Sequence, residues 1–161
     1  MKIVYWKFFS TVLLKHEVLY PRLFKILFYL AFKILIFVVI NMRKKILLLE
    51  DDNDTADIIK LIVEEEQFEV ILSKVELLQS DIRINNPSVI ISDFRLGENL
   101  RGDQICRKLK TDIDTSKIPF VLISATNNLP EVALHCGADA YIEKPFDINF
   151  FMKVVNEVTN G

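Results

Sequence analysis

The sequence predicts an α/β domain over residues 44–159, a doubly wound, five-strand parallel sheet with helices on both faces, preceded by an apolar N-terminal extension. Two observations lead there. Short runs of Ile, Leu and Val alternate with stretches of helical periodicity, the pattern of parallel strands joined by crossover helices. The chain of 161 residues also carries no internal repeat or low-complexity linker, so it has material for one ordinary core.

The elements follow in order. Ile46–Leu49 is an apolar strand that runs into Glu50-Asp51-Asp52-Asn53-Asp54, where Asp52, Asn53 or Asp54 can cap a helix. Residues 55–66 then place Ile58, Ile59, Ile62 and Val63 at helical spacing. Phe68–Leu72 is the second strand. Val75–Ile84 is a weaker helix, ended by Asn85-Asn86-Pro87. Val89–Ser92 is the third strand, and Asp93 stands at its end. A polar loop covers Gly97–Gly102, and Asp103–Leu109 is a helix with Ile105 and Leu109 on one face. Ile118–Ser124 is the fourth strand, with Pro119 near its start, where a missing N–H is tolerated. Leu129–Cys136 is a short helix closed by Gly137, and Ala140–Ile142 is the fifth strand. Asp147 can cap a last helix whose buried stripe is Phe151, Val154, Val155 and Val158.

The net charge of −2 hides a division of the chain. Residues 1–41 carry six Lys or Arg against Glu17 alone, while the remainder is acidic, with 14 bases and 21 acids. An acidic domain without a basic stripe disfavours direct nucleic-acid binding. Cys106 and Cys136 lack ligand-like spacing and read as buried free thiols of a reducing, cytoplasmic setting. Neither His16 nor His135 has a partner that suggests a role.

Function enters at the carboxyl ends of the strands, where parallel sheets bind ligands. Alone, Asp93 would read as a turn or cap residue. The first strand, however, ends on Glu50 and Asp51, the fourth on Ser124, and the fifth leads to Lys144 in Tyr141-Ile142-Glu143-Lys144-Pro145-Phe146. Close carboxylates repel unless a cation neutralises them. Oxygen-only ligands favour a hard divalent ion such as Mg²⁺. A carboxylate beside Mg²⁺ and a lysine is suited to attack a phosphoryl group.

With these motifs in view, residues 44–159 resemble the receiver domain of two-component response regulators. The resemblance rests on Ile46-Leu47-Leu48-Leu49-Glu50-Asp51-Asp52, Val89-Ile90-Ile91-Ser92-Asp93, Val121-Leu122-Ile123-Ser124-Ala125 and the Tyr141–Phe146 stretch. It implies a flavodoxin-like sheet of order 2-1-3-4-5. It implies Asp93 as phosphoacceptor from a phosphohistidine of a sensor kinase or histidine phosphotransfer protein. It also implies Mg²⁺ held by Glu50, Asp51, Asp93 and the Arg95 backbone carbonyl. Ser124 becomes the switch hydroxyl, Tyr141 the switch aromatic, and Lys144 the phosphoryl-binding cation before a cis Pro145. A phosphorylated form would then switch binding of a downstream protein. Three departures stand out: Gly97 where proline is common, Gly102 one residue late, and a Ser124–Lys144 gap short by about two residues.

Two other functions remain open at this level. Asp52-Asn53-Asp54-Thr55 resembles the opening motif of haloacid-dehalogenase-type phosphatases, with Asp52 as nucleophile and Asp54 as general acid. A receiver-like interaction module that is never phosphorylated is the other.

The segment from Arg22 to Ile40 is strongly apolar yet carries Arg22, Lys25 and Lys33. A spanning helix takes about 20 apolar residues, and a central lysine costs about 2.5–3.5 kcal/mol on insertion. Residues 1–41 are thus either a membrane-associated leader or upstream sequence ahead of a start at Met42. If the leader inserts, Arg43-Lys44-Lys45 would hold the following domain on the cytoplasmic side. N-terminal sequencing of the native protein decides this: a first residue at Met42 removes the anchor, and recovery of the leader keeps it.

Overall fold

Alternating side chains of five parallel strands build two separate cores, one on each face of a single sheet. The structure, a computed structural model, describes residues 21–41 and 43–160. The segment up to Met42 and the segment from Arg43 form separate units. The first contains helix α1 (Pro21–Asn41), on which Ile26, Leu27, Phe28, Leu30 and Phe32 are exposed. The leader expected over residues 1–41 thus lies partly outside the described residues, and His16 lies wholly outside them. Among the described residues, no helix is long and apolar enough to cross a membrane.

In the second unit the elements are β1 (Lys45–Leu49), α2 (Asn53–Glu65), β2 (Glu69–Leu72), a 3₁₀ turn (Val75–Leu77), α3 (Leu78–Asn85), β3 (Val89–Asp93), β4 (Arg95–Leu96), β5 (Leu100–Arg101), α4 (Gly102–Thr111), β6 (Phe120–Ser124), α5 (Leu129–Cys136), β7 (Ala140–Glu143) and α6 (Ile148–Asn160). The main sheet has the order β2-β1-β3-β6-β7, all parallel. Counting its five strands alone, this is the predicted order 2-1-3-4-5.

The strand period of two sends successive residues to opposite faces. Ile46, Leu48, Ile91, Val121, Ile123 and Ile142 pack with Ile59 and Val63 of α2 and Phe151 and Val155 of α6. Leu47, Leu49, Ile90, Phe120 and Leu122 pack on the other side with α3, α4 and α5. Because both faces are covered, the strands read as continuous apolar runs rather than alternating ones.

Helix ends follow local chemistry. The Asp52 carboxylate accepts the Thr55 N–H at 2.7 Å and opens α2. Asp147 accepts from Asn149 and Phe150 N–H at 2.9 and 3.1 Å and opens α6. At Gly137 the backbone turns left-handed (φ 79°) and closes α5, as its lack of a Cβ permits.

Some predicted details change. Ile58 does not join the buried stripe of α2: it is 57% exposed, and Ala56 lies inward with Ile59, Ile62 and Val63. Pro119 and Ile118 precede β6 rather than starting it, and Pro119 contributes its carbonyl to the Ile90 N–H. The stretch after Asp93 is not a plain loop. Arg95–Leu96 pairs antiparallel with Leu100–Arg101, and Gly102 already begins α4. Leu96 and Leu100 supply the pairing: Leu96 is buried and Leu100 packs against the same core.

Gly102 closes this hairpin. Its N–H donates to the Phe94 carbonyl at 2.9 Å. A Cβ there would collide with the Asp93 carbonyl oxygen, Ser92 Oγ and Leu122 Cδ1. Gly102→Ala should therefore destabilise the domain by about 3 kcal/mol, the upper range for overpacking. Phe151→Ala should cost about 3–5 kcal/mol, and Ile58→Ala less than about 0.5 kcal/mol. Urea unfolding measures all three. A loss for Ile58→Ala equal to that for Phe151→Ala would contradict this core assignment.

Candidate functional site

Two strand ends bring three acids together. Leu49 pairs with Ser92, so Glu50 and Asp51 leave β1 beside Asp93 at the end of β3. One carboxylate oxygen from each of Glu50, Asp51 and Asp93 lies within 4.8 Å of the others. On the far side, Ser124 pairs with Glu143, which delivers Lys144 to the same edge.

Lys144 ties two of the three acids together. Its Nζ donates to Asp93 Oδ1 at 2.8 Å and to Glu50 Oε2 at 2.9 Å. The Glu50 side chain is only 3% exposed. Burial pushes its carboxyl above the usual range, against the hydrogen bond and charge of Lys144. Burial works the other way on the Lys144 ammonium, but the hydrogen bonds and charges of Asp93 and Glu50 outweigh it and hold its pKa above normal.

Backbone donors complete the set. Asp93 Oδ2 accepts the Arg95 N–H at 2.9 Å, and Asp51 Oδ2 accepts the Gly97 N–H at 2.8 Å. Glu50 Oε1 accepts the Asp52 N–H at 3.2 Å. In the hairpin, Arg95 opposes Arg101 while Gly102 bonds to Phe94. Opposed residues in such a position do not exchange their own bonds, so the Arg95 carbonyl lies outside the ladder. Three carboxylates against one ammonium leave the cluster two charges negative, and every donor is oxygen. That donor set fits a hard divalent cation and gives a soft metal no ligand.

Ser124 is buried at 6% exposure. Its Oγ accepts the Thr126 N–H at 3.1 Å, and its carbonyl accepts the Lys144 N–H at 2.8 Å. Lys144 and Ser124 are thus fixed to each other through the backbone. The Lys144–Pro145 bond is cis. Tyr141 lies outside the acid cluster: it is 40% exposed and lines a surface cavity of about 380 Å³ with Glu143, Phe146 and Phe150.

Asp52 and Asp54 do not join the cluster. The Asp52 carboxylate caps α2, and its hydrogen bonds to Thr55 hold it below the usual range. Asp54 is exposed in the first helical turn. This arrangement does not favour a phosphatase based on that pair. His135 bonds to the Glu131 carbonyl on its own helix at 2.7 Å. Cys106 and Cys136 are buried free thiols.

In the sequence Gly97 and Gly102 stand out only as irregular spacing, and the Arg101–Asp103 pair is not evident at all. The signal was Leu96 and Leu100 flanking a Gly-containing turn, a hairpin too short for its alternation to stand out.

A family model for the response regulator receiver domain matches residues 46–156. Histidine kinase P4 of Formosa agariphila is 42% identical over 79 residues, 47% of this chain and 6% of the kinase. The DNA-binding response regulator MtrA of Mycobacterium tuberculosis is 32% identical over 110 residues, 66% of this chain and 46% of MtrA. The chain therefore spans less than half the length of these curated relatives. Among solved structures, the signal receiver domain of a histidine kinase from Syntrophus aciditrophicus superposes with a TM-score of 0.66 at 27% identity, covering 73% of this chain and 91% of that one. A putative response regulator from Chloroflexus aurantiacus has a TM-score of 0.68 at 21% identity, covering 74% of this chain and 99% of that one. The chain belongs to the response regulator receiver domain family, whose work is two-component, phosphorylation-dependent signalling.

Proposed function

We propose that this receiver accepts a phosphoryl group on Asp93 from a phosphohistidine and changes its protein partners as a result. The observation that carries the reading is the Lys144 ammonium bonded at once to Asp93 and Glu50, with Asp51 in the same cluster. A structural ion pair would need one acid. Two acids bonded to one ammonium, with a third beside them, suit a site that also takes a divalent cation and a phosphoryl group.

Glu50, Asp51, Asp93 and the Arg95 carbonyl would hold Mg²⁺. When bound, the ion supplies charge neutralisation for the transferring phosphoryl oxygens. An Asp93 carboxylate oxygen attacks phosphorus, the new O–P bond forms, the N–P bond of the donor breaks, and the electron pair leaves on its imidazole. Lys144 exchanges its hold on the Asp93 carboxylate for a phosphoryl oxygen, which keeps its charge paired. Ser124 Oγ already accepts from Thr126, so its own proton remains to donate to a phosphoryl oxygen. Moving Ser124 toward that oxygen would pull on β6 and, through the Lys144 N–H, on the C-terminal end of β7, the strand that carries Tyr141.

On this reading the chain is a phosphoacceptor that assists its own transfer and hydrolysis, rather than an enzyme acting on a free substrate. Its donor is a sensor histidine kinase or a histidine phosphotransfer protein. Its target is a protein. Support comes from family membership and from the relative named as a histidine kinase, whose matching portion is 42% identical.

Incubation with acetyl phosphate and Mg²⁺ should add one phosphoryl group, detected by intact-protein mass. Chelation of the metal should abolish the addition, and Asp93→Asn should remain unmodified. Equal labelling of Asp93→Asn would overturn the assignment.

A further inference from the structure

The lengthened connection after Asp93 is tied down at its base. Arg101 Nε and Nη2 donate to Asp103 Oδ1 and Oδ2 at 2.9 and 3.0 Å. Its guanidinium carbon lies 4.5 Å from the centroid of the Phe94 ring. Arg101 also opposes Arg95 in the hairpin ladder. One side chain thus joins the residue after Asp93, the strand carrying the Arg95 carbonyl, and the first turn of α4. The Asp103 side chain is only 12% exposed, while that of Arg101 is about half exposed, so the two-pronged geometry and the Phe94 ring, rather than burial, hold Arg101 in place.

The hairpin delivers two N–H groups to the acids, from Arg95 to Asp93 and from Gly97 to Asp51. Asp51 is exposed, and among the described residues the Gly97 N–H is the group that orients its carboxylate. A carboxylate ligand held in place before the cation arrives loses less rotamer freedom on binding.

We propose that Arg101 is a positioning residue for the divalent-cation site. By clamping Phe94 and Asp103 it fixes the hairpin, and the hairpin fixes Asp51 and the Arg95 carbonyl. This inference rests on the reading of Glu50, Asp51 and Asp93 as a Mg²⁺ site. It carries a sign that separates it from simple electrostatics. Removing a positive charge near an acidic cluster should tighten cation binding if charge alone acted. Loss of positioning should weaken it.

The test is calorimetric titration of the full chain with Mg²⁺. Arg101→Ala should raise the Kd about tenfold, the lower range for loss of a group supporting metal ligands. Arg101→Lys should behave similarly, because an ammonium reproduces neither the two-pronged bond nor the stacking. Lys60→Ala, which removes an exposed charge on α2, should stay within about twofold of wild type. In the metal-free protein, Arg101→Ala should also speed amide exchange at Gly97 by about fivefold or more.

A variant with lower thermal stability but unchanged Kd and unchanged Gly97 exchange would make Arg101 merely structural and overturn the proposal. If Arg101→Ala does not fold, a wild-type Kd in Arg101→Lys overturns it equally. Failure of the wild type itself to take up Mg²⁺ would sink the cation-site reading and this inference with it, and that outcome is visible before any variant is made.

Discussion

The site depends on one ammonium bonded to two carboxylates, with a third close beside them. Like charges at this separation repel, and burial strengthens the repulsion because less water lies between them. Lys144 offsets part of it by bonding both Asp93 and Glu50. The two pKa shifts follow from that arrangement. Lys144 is raised, so its stabilising contribution is complete below the ordinary lysine value of 10.5 and is lost only as pH rises through its higher folded value. Glu50 is raised as well, mainly by burial, so its ionised form costs stability at neutral pH, a cost relieved as pH falls through the carboxyl range. The folded state thus keeps a buried acid in a form it disfavours, at the one edge where a cation and a phosphoryl group would give that acid a use.

The rest of the fold serves this edge. Parallel pairing puts the carboxyl ends of β1, β3, β6 and β7 side by side, and the registers Leu49–Ser92, Asp93–Ile123 and Ser124–Glu143 align them to within a residue. Two apolar layers fix those registers, since a slip by one residue would exchange the faces of a whole strand. Gly102 extends the same economy to the hairpin. With no Cβ, α4 can start directly against the Asp93 carbonyl, and the connection returns close to the point where it left β3.

Much of this was legible in the residues. The apolar runs at 46–49, 89–92 and 118–124 signal strands, and their alternation with helical periods gives a parallel sheet covered on both faces. Asp93, Glu50, Asp51 and Lys144 could be selected because each follows an apolar run, and the carboxyl ends of parallel strands share an edge. Ile58 fits the helical spacing yet faces solvent, because spacing alone does not say where a stripe ends, and Ala56 is too small to weigh in that pattern. The β4–β5 hairpin was missed because two-residue strands show no periodicity, and the Arg101 clamp because it depends on that hairpin. Asp52 could be read either as a cap or as a nucleophile from sequence, and the Thr55 N–H decides for the cap.

On the proposed reading, these strand ends form one phosphoryl-accepting site in which Asp93, a divalent cation and Lys144 act together. Fluorine NMR of the full chain with beryllofluoride, a phosphoryl mimic, tests it most directly. The account predicts bound fluorine resonances that require Mg²⁺ and vanish in Asp93→Asn. Bound resonances that persist without Mg²⁺, or in Asp93→Asn, would contradict it.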